Sequence, residues 1–166
     1  MGMTNDERRK LLKYMSNHAR TSCEELALML GLDEAAVEAE IASLEKDRVI
    51  LGYNTVIAWD RTEDDPVTAL IEVTVTPQRD LGFDRLARRL YSHPQVSSCY
   101  LMSGSYDLLL IIEDKSLKDV ARFVSDHIAP AEAVLSTKTH FILKKYKVNG
   151  TDCSAQLADR REAVIL

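Results

Sequence analysis

Three amphipathic helices are predicted in the first 48 residues. Thr4 with Glu7, and Ser22 with Glu25, have the spacing of a capping box, so a helix is expected to begin at each pair. Gly31 then ends the second helix, where a residue that tolerates positive φ is favoured. The residues that recur at helical spacing are Leu11, Leu12 and Met15, then Leu26, Ala27 and Leu30, then Val37, Ile41 and Leu44. A glycine turn between the last two helices is typical of a helix-turn-helix, although any two adjoining amphipathic helices give a weaker version of the pattern.

The pattern changes twice between residues 49 and 66. Residues 49–58 (VILGYNTVIA) are apolar, β-branched and aromatic, which predicts a strand. An acidic stretch closed by Pro66 follows and predicts a linker over residues 61–66. We therefore expect a first domain over residues 1–60 and a second domain from residue 67.

The remaining elements predict a βαββαβ domain over residues 67–148. Strands are expected at 67–76, 96–102, 106–112 and 134–148, and helices at 80–91 and from a cap at Ser116, with Pro77, Pro94 and Pro130 as breaks. This order closes as a ferredoxin-like sheet with both helices on one face. The expected fold class is therefore α+β. Residues 149–166 form a weakly patterned tail to which no element is assigned.

The third strand of this domain is apolar on both faces. A strand with one solvated face should alternate with polar residues, but Leu108–Ile112 does not. The two helices cover only one side of the sheet, so a second copy of the sheet is expected to cover the other. The sequence therefore predicts a homodimer.

Composition and motifs narrow the function classes. The 166 residues are 46% hydrophobic with a net charge of −5, and there is neither a membrane-length apolar run nor a secretory signal, which favours a cytoplasmic protein. The three cysteines and four histidines lack disulfide or metal spacing, and no nucleophile or phosphate-loop motif is present. We expect no catalytic residues, no metal and no cofactor.

Three stretches resemble the leucine-responsive/asparagine-responsive (Lrp/AsnC) regulators. They are residues 32–53 (LDEAAVEAEIASLEKDRVILGY), 104–110 (GSYDLLL) and 136–147 (STKTHFILKKYK). The resemblance covers roughly residues 4–148. It implies a winged helix-turn-helix that binds DNA, and a sensing domain that dimerises, often assembles further into octamers, and binds a small effector, commonly an amino acid.

Under this resemblance the third helix faces DNA and the first helix supplies cations. The candidate DNA-binding residues are Arg8, Arg9, Lys13, Ser22, Ala35, Glu38, Ala39, Ala42, Ser43 and Lys46. Charge weakens this expectation, because residues 33–47 carry six acids against one lysine, and residues 1–60 carry eleven acids against seven bases. Phosphate neutralisation supplies most of the affinity of a DNA-binding protein, so weak binding with a shallow salt dependence is expected.

Asp107 is the main candidate for effector binding. It begins an apolar strand just after Gly104, where an unpaired carboxylate is costly to bury. It either binds the ammonium group of an amino-acid-like effector or caps the turn. Tyr106, Thr137 and Thr139 are expected to supply hydroxyl groups to the same cleft.

Three functions follow from these observations. The first is a transcription regulator whose DNA binding responds to an amino acid. The second is a ligand-sensing module of the same fold without autonomous DNA binding, which the acidic third helix favours. The third is an enzyme like the haem-pathway decarboxylases, which share the two-domain fold by resemblance, but it would need histidines and cations converging on a tetrapyrrole cleft, and this sequence has only scattered candidates.

Overall fold

The computed structural model describes residues 3–76 and 82–154. They form two compact units: the described residues of Met1–Ile57 and Tyr146–Leu166 make up the first, and those of Ala58–Lys145 the second. The predicted break at Pro77, the predicted helix start at residue 80 and the tail from residue 155 lie outside the described residues.

The first unit contains the three predicted helices, α1 (Asn5–Met15), α2 (Cys23–Leu30) and α3 (Glu34–Lys46). Both predicted capping boxes are confirmed, since each cap hydroxyl accepts from the backbone N–H three residues on and each glutamate bonds back to the cap backbone. The buried side chains of this unit are those of Leu11, Leu26, Ala27, Val37 and Leu44. These residues stand at helical spacing in the sequence, so one small core holds the three helices together.

The turn between α2 and α3 is set by its backbone. Gly31 has φ of 69° and ψ of 34°, the left-handed conformation that glycine adopts without strain. The N–H of Leu32 then bonds to the carbonyl oxygen of Ala27 at 3.0 Å, closing the end of α2. Asp33 is the N-cap residue of α3, but its side chain makes no capping hydrogen bond.

The prediction of a strand over residues 49–58 is wrong. The N–H groups of Val49 and Ile50 both bond to the carbonyl oxygen of Leu44, and no strand ladder follows within the described residues. Leu51 and Tyr53 are exposed, and a 3₁₀ turn at Trp59–Arg61 ends the segment. Apolar, β-branched residues favour a strand only where a neighbouring strand accepts their backbone hydrogen bonds.

The second unit follows the predicted βαββαβ order. Its elements are β1 (Val67–Val75), α4 (Gly82–Tyr91), β2 (Val96–Leu101), β3 (Leu108–Asp114), α5 (Leu117–Phe123) and β4 (Val134–Phe141). The last turn of the second helix, Val124–Ile128, is a π-helical turn. The strands lie in the order β2-β3-β1-β4 and every neighbouring pair is antiparallel. The fold is therefore α+β with an antiparallel sheet.

Both helices pack on one face of this sheet. The buried side chains of β1 and β3 alternate along each strand and join those of α4 and α5 in one core. Val73 and Leu110, for example, are fully buried on the helix side. Leu70, Leu109 and Ile111 point to the other face, where they are only half-buried.

The long last strand predicted over residues 134–148 is also corrected. Strand β4 ends at Phe141, and a separate hairpin follows, formed by β5 (Lys147–Val148) and β6 (Thr151–Asp152). Asn149 and Gly150 connect its strands with φ of 46° and 82°. An Asn-Gly pair with both residues at positive φ is typical of a tight hairpin turn, so Lys147 and Val148 pair within this hairpin and do not extend β4.

Candidate functional sites

The outer face of α3 is open to solvent. All of the candidate residues on this helix are exposed: Ala35, Glu38, Ala39, Ala42, Ser43 and Lys46. Val37 and Leu44 lie on the opposite side and are buried against α1 and α2. The capped helices and the Gly31 turn therefore present one continuous helical surface, formed mainly by small side chains.

The cations predicted on α1 are largely engaged. Arg8 Nε donates to Glu40 Oε1 of α3 at 2.5 Å. This hydrogen bond to Glu40 raises the pKa of Arg8. Arg9 and Lys10 both pair with Asp6, at 3.2 and 2.8 Å. The hydrogen bond from Lys10 is the main reason that the pKa of Asp6 lies below its usual value. The formal charges of α1 therefore overstate what it offers to an anion.

Four cations of the first unit make no ion pair in the part of the chain that the structure describes. They are Lys13, Arg20, Lys46 and Arg48. Ser22 is exposed, but its hydroxyl accepts from the N–H of Glu25 as the cap of α2. The candidate residues thus divide into an exposed α3 face, a few free cations, and groups that already have partners.

The acids of α3 are also partly paired. Glu40, with only 11% of its side chain exposed, accepts from Arg8, and Glu45 accepts from the Tyr53 hydroxyl at 2.8 Å. Burial first, and then this bond to Glu45, raise the pKa of Tyr53. Glu34 and Glu38 remain exposed without an ion pair among the described residues. The contact between Tyr53 and Glu45 was not predicted from the sequence, because Glu45 lies on α3 and Tyr53 lies beyond its end.

A shallow cavity of about 400 Å³ lies between α1 and α2 of the first unit. Lys10, Lys13 and His18 are at its rim, and the ring of Tyr14 stacks on that of His18 at 4.4 Å between centroids. A larger cavity of about 630 Å³ is lined by the end of α1, residues 49–54 and the hairpin turn. The sequence pattern gave no sign of either cavity, because their walls come from separate elements.

Asp107 is anchored by three hydrogen bonds. Its Oδ2 accepts from the N–H of Val75 at 2.8 Å, its N–H donates to the carbonyl oxygen of Val73 at 3.0 Å, and its carbonyl oxygen accepts from the N–H of Met102 at 2.8 Å. The carboxylate therefore ties the start of β3 to the end of β1 across 32 residues of sequence. Oδ1 makes no hydrogen bond within the described residues.

The other candidate effector residues lie on two sides of β1. Thr137 and Thr139 of β4 pair with Val73 and Ile71, so Thr137 and Asp107 flank Val73 from opposite neighbouring strands. Gly104 is exposed and Tyr106 is half-buried in the connection between β2 and β3. The register thus brings Asp107 and Thr137 to the same end of the sheet, with Thr139 two residues further along β4.

Within residues 3–76 and 82–154, no cluster of three potential metal ligands occurs. The imidazole rings of His93 and His127 lie 4.8 Å apart and both contact the ring of Phe123. Across the same ranges, no helix is long and apolar enough to span a membrane.

Comparison with known proteins identifies the class of the second unit. The model of the Lrp/AsnC ligand binding domain matches residues 68–151. The HTH-type transcriptional regulator YugG of Bacillus subtilis is 45% identical over 85% of this chain and 86% of the relative. The regulator LrpA of Pyrococcus abyssi is 29% identical over 86% of this chain and 99% of the relative. The chain belongs to the Lrp/AsnC family of transcriptional regulators.

Solved structures share this fold along most of their length. AsnC of E. coli has a TM-score of 0.67 at 19% identity, covering 88% of this chain and 96% of its own. The feast or famine regulatory protein of M. tuberculosis complexed with L-methionine has a TM-score of 0.72 at 23% identity, covering 90% of this chain and 98% of its own.

We predict that Asp107→Ala destabilises the second unit by about 1–3 kcal/mol, because the N–H of Val75 loses its acceptor. Asp107→Asn should lose much less stability, since the amide oxygen can occupy the same position and accept from the same N–H group. Urea unfolding of both variants measures the difference in free energy. An alanine variant as stable as the wild-type protein would show that this hydrogen bond does not anchor β3.

Proposed function

We propose that the protein is a transcription regulator that binds DNA through its N-terminal helices and responds to a small effector, an amino acid, bound by the second unit. The observation that carries this proposal is the exposed outer face of α3. Capping boxes begin the two helices that precede it, and the Gly31 turn connects α2 to it. The major groove of DNA admits such a helix. Membership of the Lrp/AsnC family supports the same function.

The domains implied by this function are a winged helix-turn-helix over residues 1–60, a linker over 61–66, a ferredoxin-like sensing domain over 67–148 and a tail over 149–166. The division into two compact units supports this arrangement, with the hairpin of residues 147–152 grouped with the first unit. The relatives are named as transcriptional regulators. Their names support a regulator that acts in the cytoplasm, and not an enzyme.

The proposed effector site consists of Gly104, Tyr106, Asp107, Thr137 and Thr139. Oδ1 of Asp107 is the atom offered to the ammonium group of an amino acid, while Oδ2 holds Val75. Thr137 lies across β1 from Asp107, at the same end of the sheet, and is the proposed source of a hydroxyl group for the effector. The L-methionine complex of the M. tuberculosis relative supports an amino acid as the ligand class.

Selection of DNA from a random pool, with and without pooled amino acids, tests this function directly. The wild-type protein should enrich a common sequence, and the amino acids should change its recovery. Asp107→Asn should enrich the same sequence but lose the response, because charge-assisted hydrogen bonds are roughly twice as strong as neutral ones. Failure of the wild-type protein to enrich any sequence would contradict the proposal.

The second candidate function is a sensing module without autonomous DNA binding, which the exposed acids of α3 favour. Glu38→Gln distinguishes the two candidates. If α3 faces phosphates, removing this charge should strengthen DNA binding about fivefold, corresponding to roughly 1 kcal/mol of lost repulsion. Glu24→Gln on the exposed surface of α2 is the control with the same charge change. Equal affinities of the two variants would show that α3 is not at the DNA.

We also propose that the regulator is a homodimer, or a larger assembly of dimers such as an octamer, joined through the open face of the sheet. Leu70, Leu109 and Ile111 form an apolar strip on this face. Beside it, Glu72 pairs with Lys138 at 3.6 Å and contacts the imidazole Nε2 of His140 at 3.0 Å. A second copy of the same face would bury the strip on both sides.

Leu109→Glu with Ile111→Glu should convert the protein to a monomer, because two carboxylates per copy would have to be buried without partners. Sedimentation velocity at micromolar concentration measures the change. Leu117→Glu with Ala121→Glu adds the same charge to exposed positions of α5, on the helix side of the sheet, and should leave the assembly intact. A wild-type protein that sediments as a monomer would contradict the proposal.

A further inference from the structure

The outer face of α4 carries an unpaired cationic surface. Arg85, Arg88 and Arg89 are exposed, and none of their guanidinium groups makes an ion pair or hydrogen bond in the described part of the chain. Leu86, on the other side of the helix, is buried in the core. Asp84 is the acid nearest to these arginines in the sequence and forms no ion pair in the same ranges. We call the three arginines the α4 arginine face.

Helical geometry places the three side chains together. At about 100° per residue, Arg85, Arg88 and Arg89 fall within roughly 100° of one another around the helix axis. Arg85 and Arg89 are separated by about 6 Å along that axis. The planar guanidinium group binds phosphate through two N–H donors, and it remains charged at every physiological pH.

Several cations elsewhere in the described residues are paired with acids. Arg122 of α5 pairs with Asp119, and Arg8 of α1 pairs with Glu40. The first unit also carries Glu34 and Glu38 on the surface expected to face DNA. Residues 1–60 therefore have a formal net charge of −4 (seven bases against eleven acids) even though some of their cations are unpaired among the described residues, whereas three arginines with no ion pair there lie together on one helix of the sensing domain.

We propose that the α4 arginine face is a second DNA-contact surface, which binds phosphates of the duplex without reading its sequence. The proposal rests on the proposed function as a DNA-binding regulator. A surface of this kind would supply the phosphate contacts that the acidic first unit lacks. Contacts to phosphates position a protein on the duplex, whereas contacts to base edges select the sequence.

Duplex DNA fits this surface better than an acidic surface of a second copy. DNA offers a negative charge about every 1.7 Å along its axis. On α3 of another copy, Glu34, Glu38 and Glu45 lack an ion pair in the described residues, but Glu45 accepts from the Tyr53 hydroxyl and the other two are neighbours of small apolar side chains. Three arginines on one helix face match the dense, regular row of phosphate charges, whereas the two carboxylates on α3 that have no partner among the described residues offer fewer charges.

The test compares two triple variants of the full chain. Arg85→Gln with Arg88→Gln and Arg89→Gln removes the α4 arginine face. The control, Lys115→Gln with Lys118→Gln and Arg122→Gln, removes the same charge from exposed positions at α5. Affinities for a duplex of about 60 base pairs, carrying either the selected sequence or a scrambled one, are measured by fluorescence anisotropy across a salt series.

The α4 variant should bind both duplexes at least about tenfold more weakly near 0.1 M salt, with its salt slope shallower by about 2.7, since each lost phosphate contact contributes about 0.9. The ratio of its affinities for the two duplexes should stay unchanged. The control variant should keep most of the wild-type slope. Sedimentation and thermal melting should match the wild-type protein, because the three side chains are exposed.

Three results would overturn the proposal. A wild-type protein that binds neither duplex would remove the proposed function and this inference together. If the wild-type protein binds and the salt slopes of both triple variants fall by the same amount, this inference alone is removed, because net charge would then explain the change. Loss of the assembly in the α4 variant would show that the arginines hold a second copy of the chain.

Discussion

The apolar run of β3 is the constraint on which the second unit depends. Successive side chains of a strand point to opposite faces, so Leu108–Ile112 places apolar residues on both sides of the sheet. The helix side is completed within one chain, where Leu108, Leu110 and Ile112 are at most 1% exposed. Burial of each such side chain contributes about 1.5–3 kcal/mol. The other side keeps Leu109 and Ile111 half-exposed, which is why assembly through this face is part of the proposed function.

Local interactions were predictable from the sequence, and contacts between distant elements were less so. The capping boxes at Thr4 and Ser22 and the turn at Gly31 each involve residues within a few positions of one another. The strand predicted over residues 49–58 failed because a strand also needs a partner strand, which the composition of one segment does not reveal. The end of β4 was missed because Lys147 and Val148 pair with Thr151 and Asp152, in the tail to which no element was assigned.

The candidate sites show the same limit. The exposed face of α3 follows from helical periodicity, which puts Val37 and Leu44 on its buried side. The pairing of Arg8 with Glu40 joins residues 32 positions apart, and formal charge counts treated both as free. The bond from Val75 to Asp107 spans the same separation and gives this carboxylate a structural contact beside its proposed role in binding. Both pairings change how much charge is available to DNA or to an effector.

The central claim is that DNA affinity and effector binding are linked in one chain. The direct measurement is the dissociation constant for the selected duplex, determined by fluorescence anisotropy at fixed salt while each amino acid is titrated separately. The proposed function predicts that at least one amino acid shifts this constant about fivefold or more, as is typical of allosteric coupling between two sites. A constant that stays the same with every amino acid, for a protein that binds the duplex, would contradict the claim.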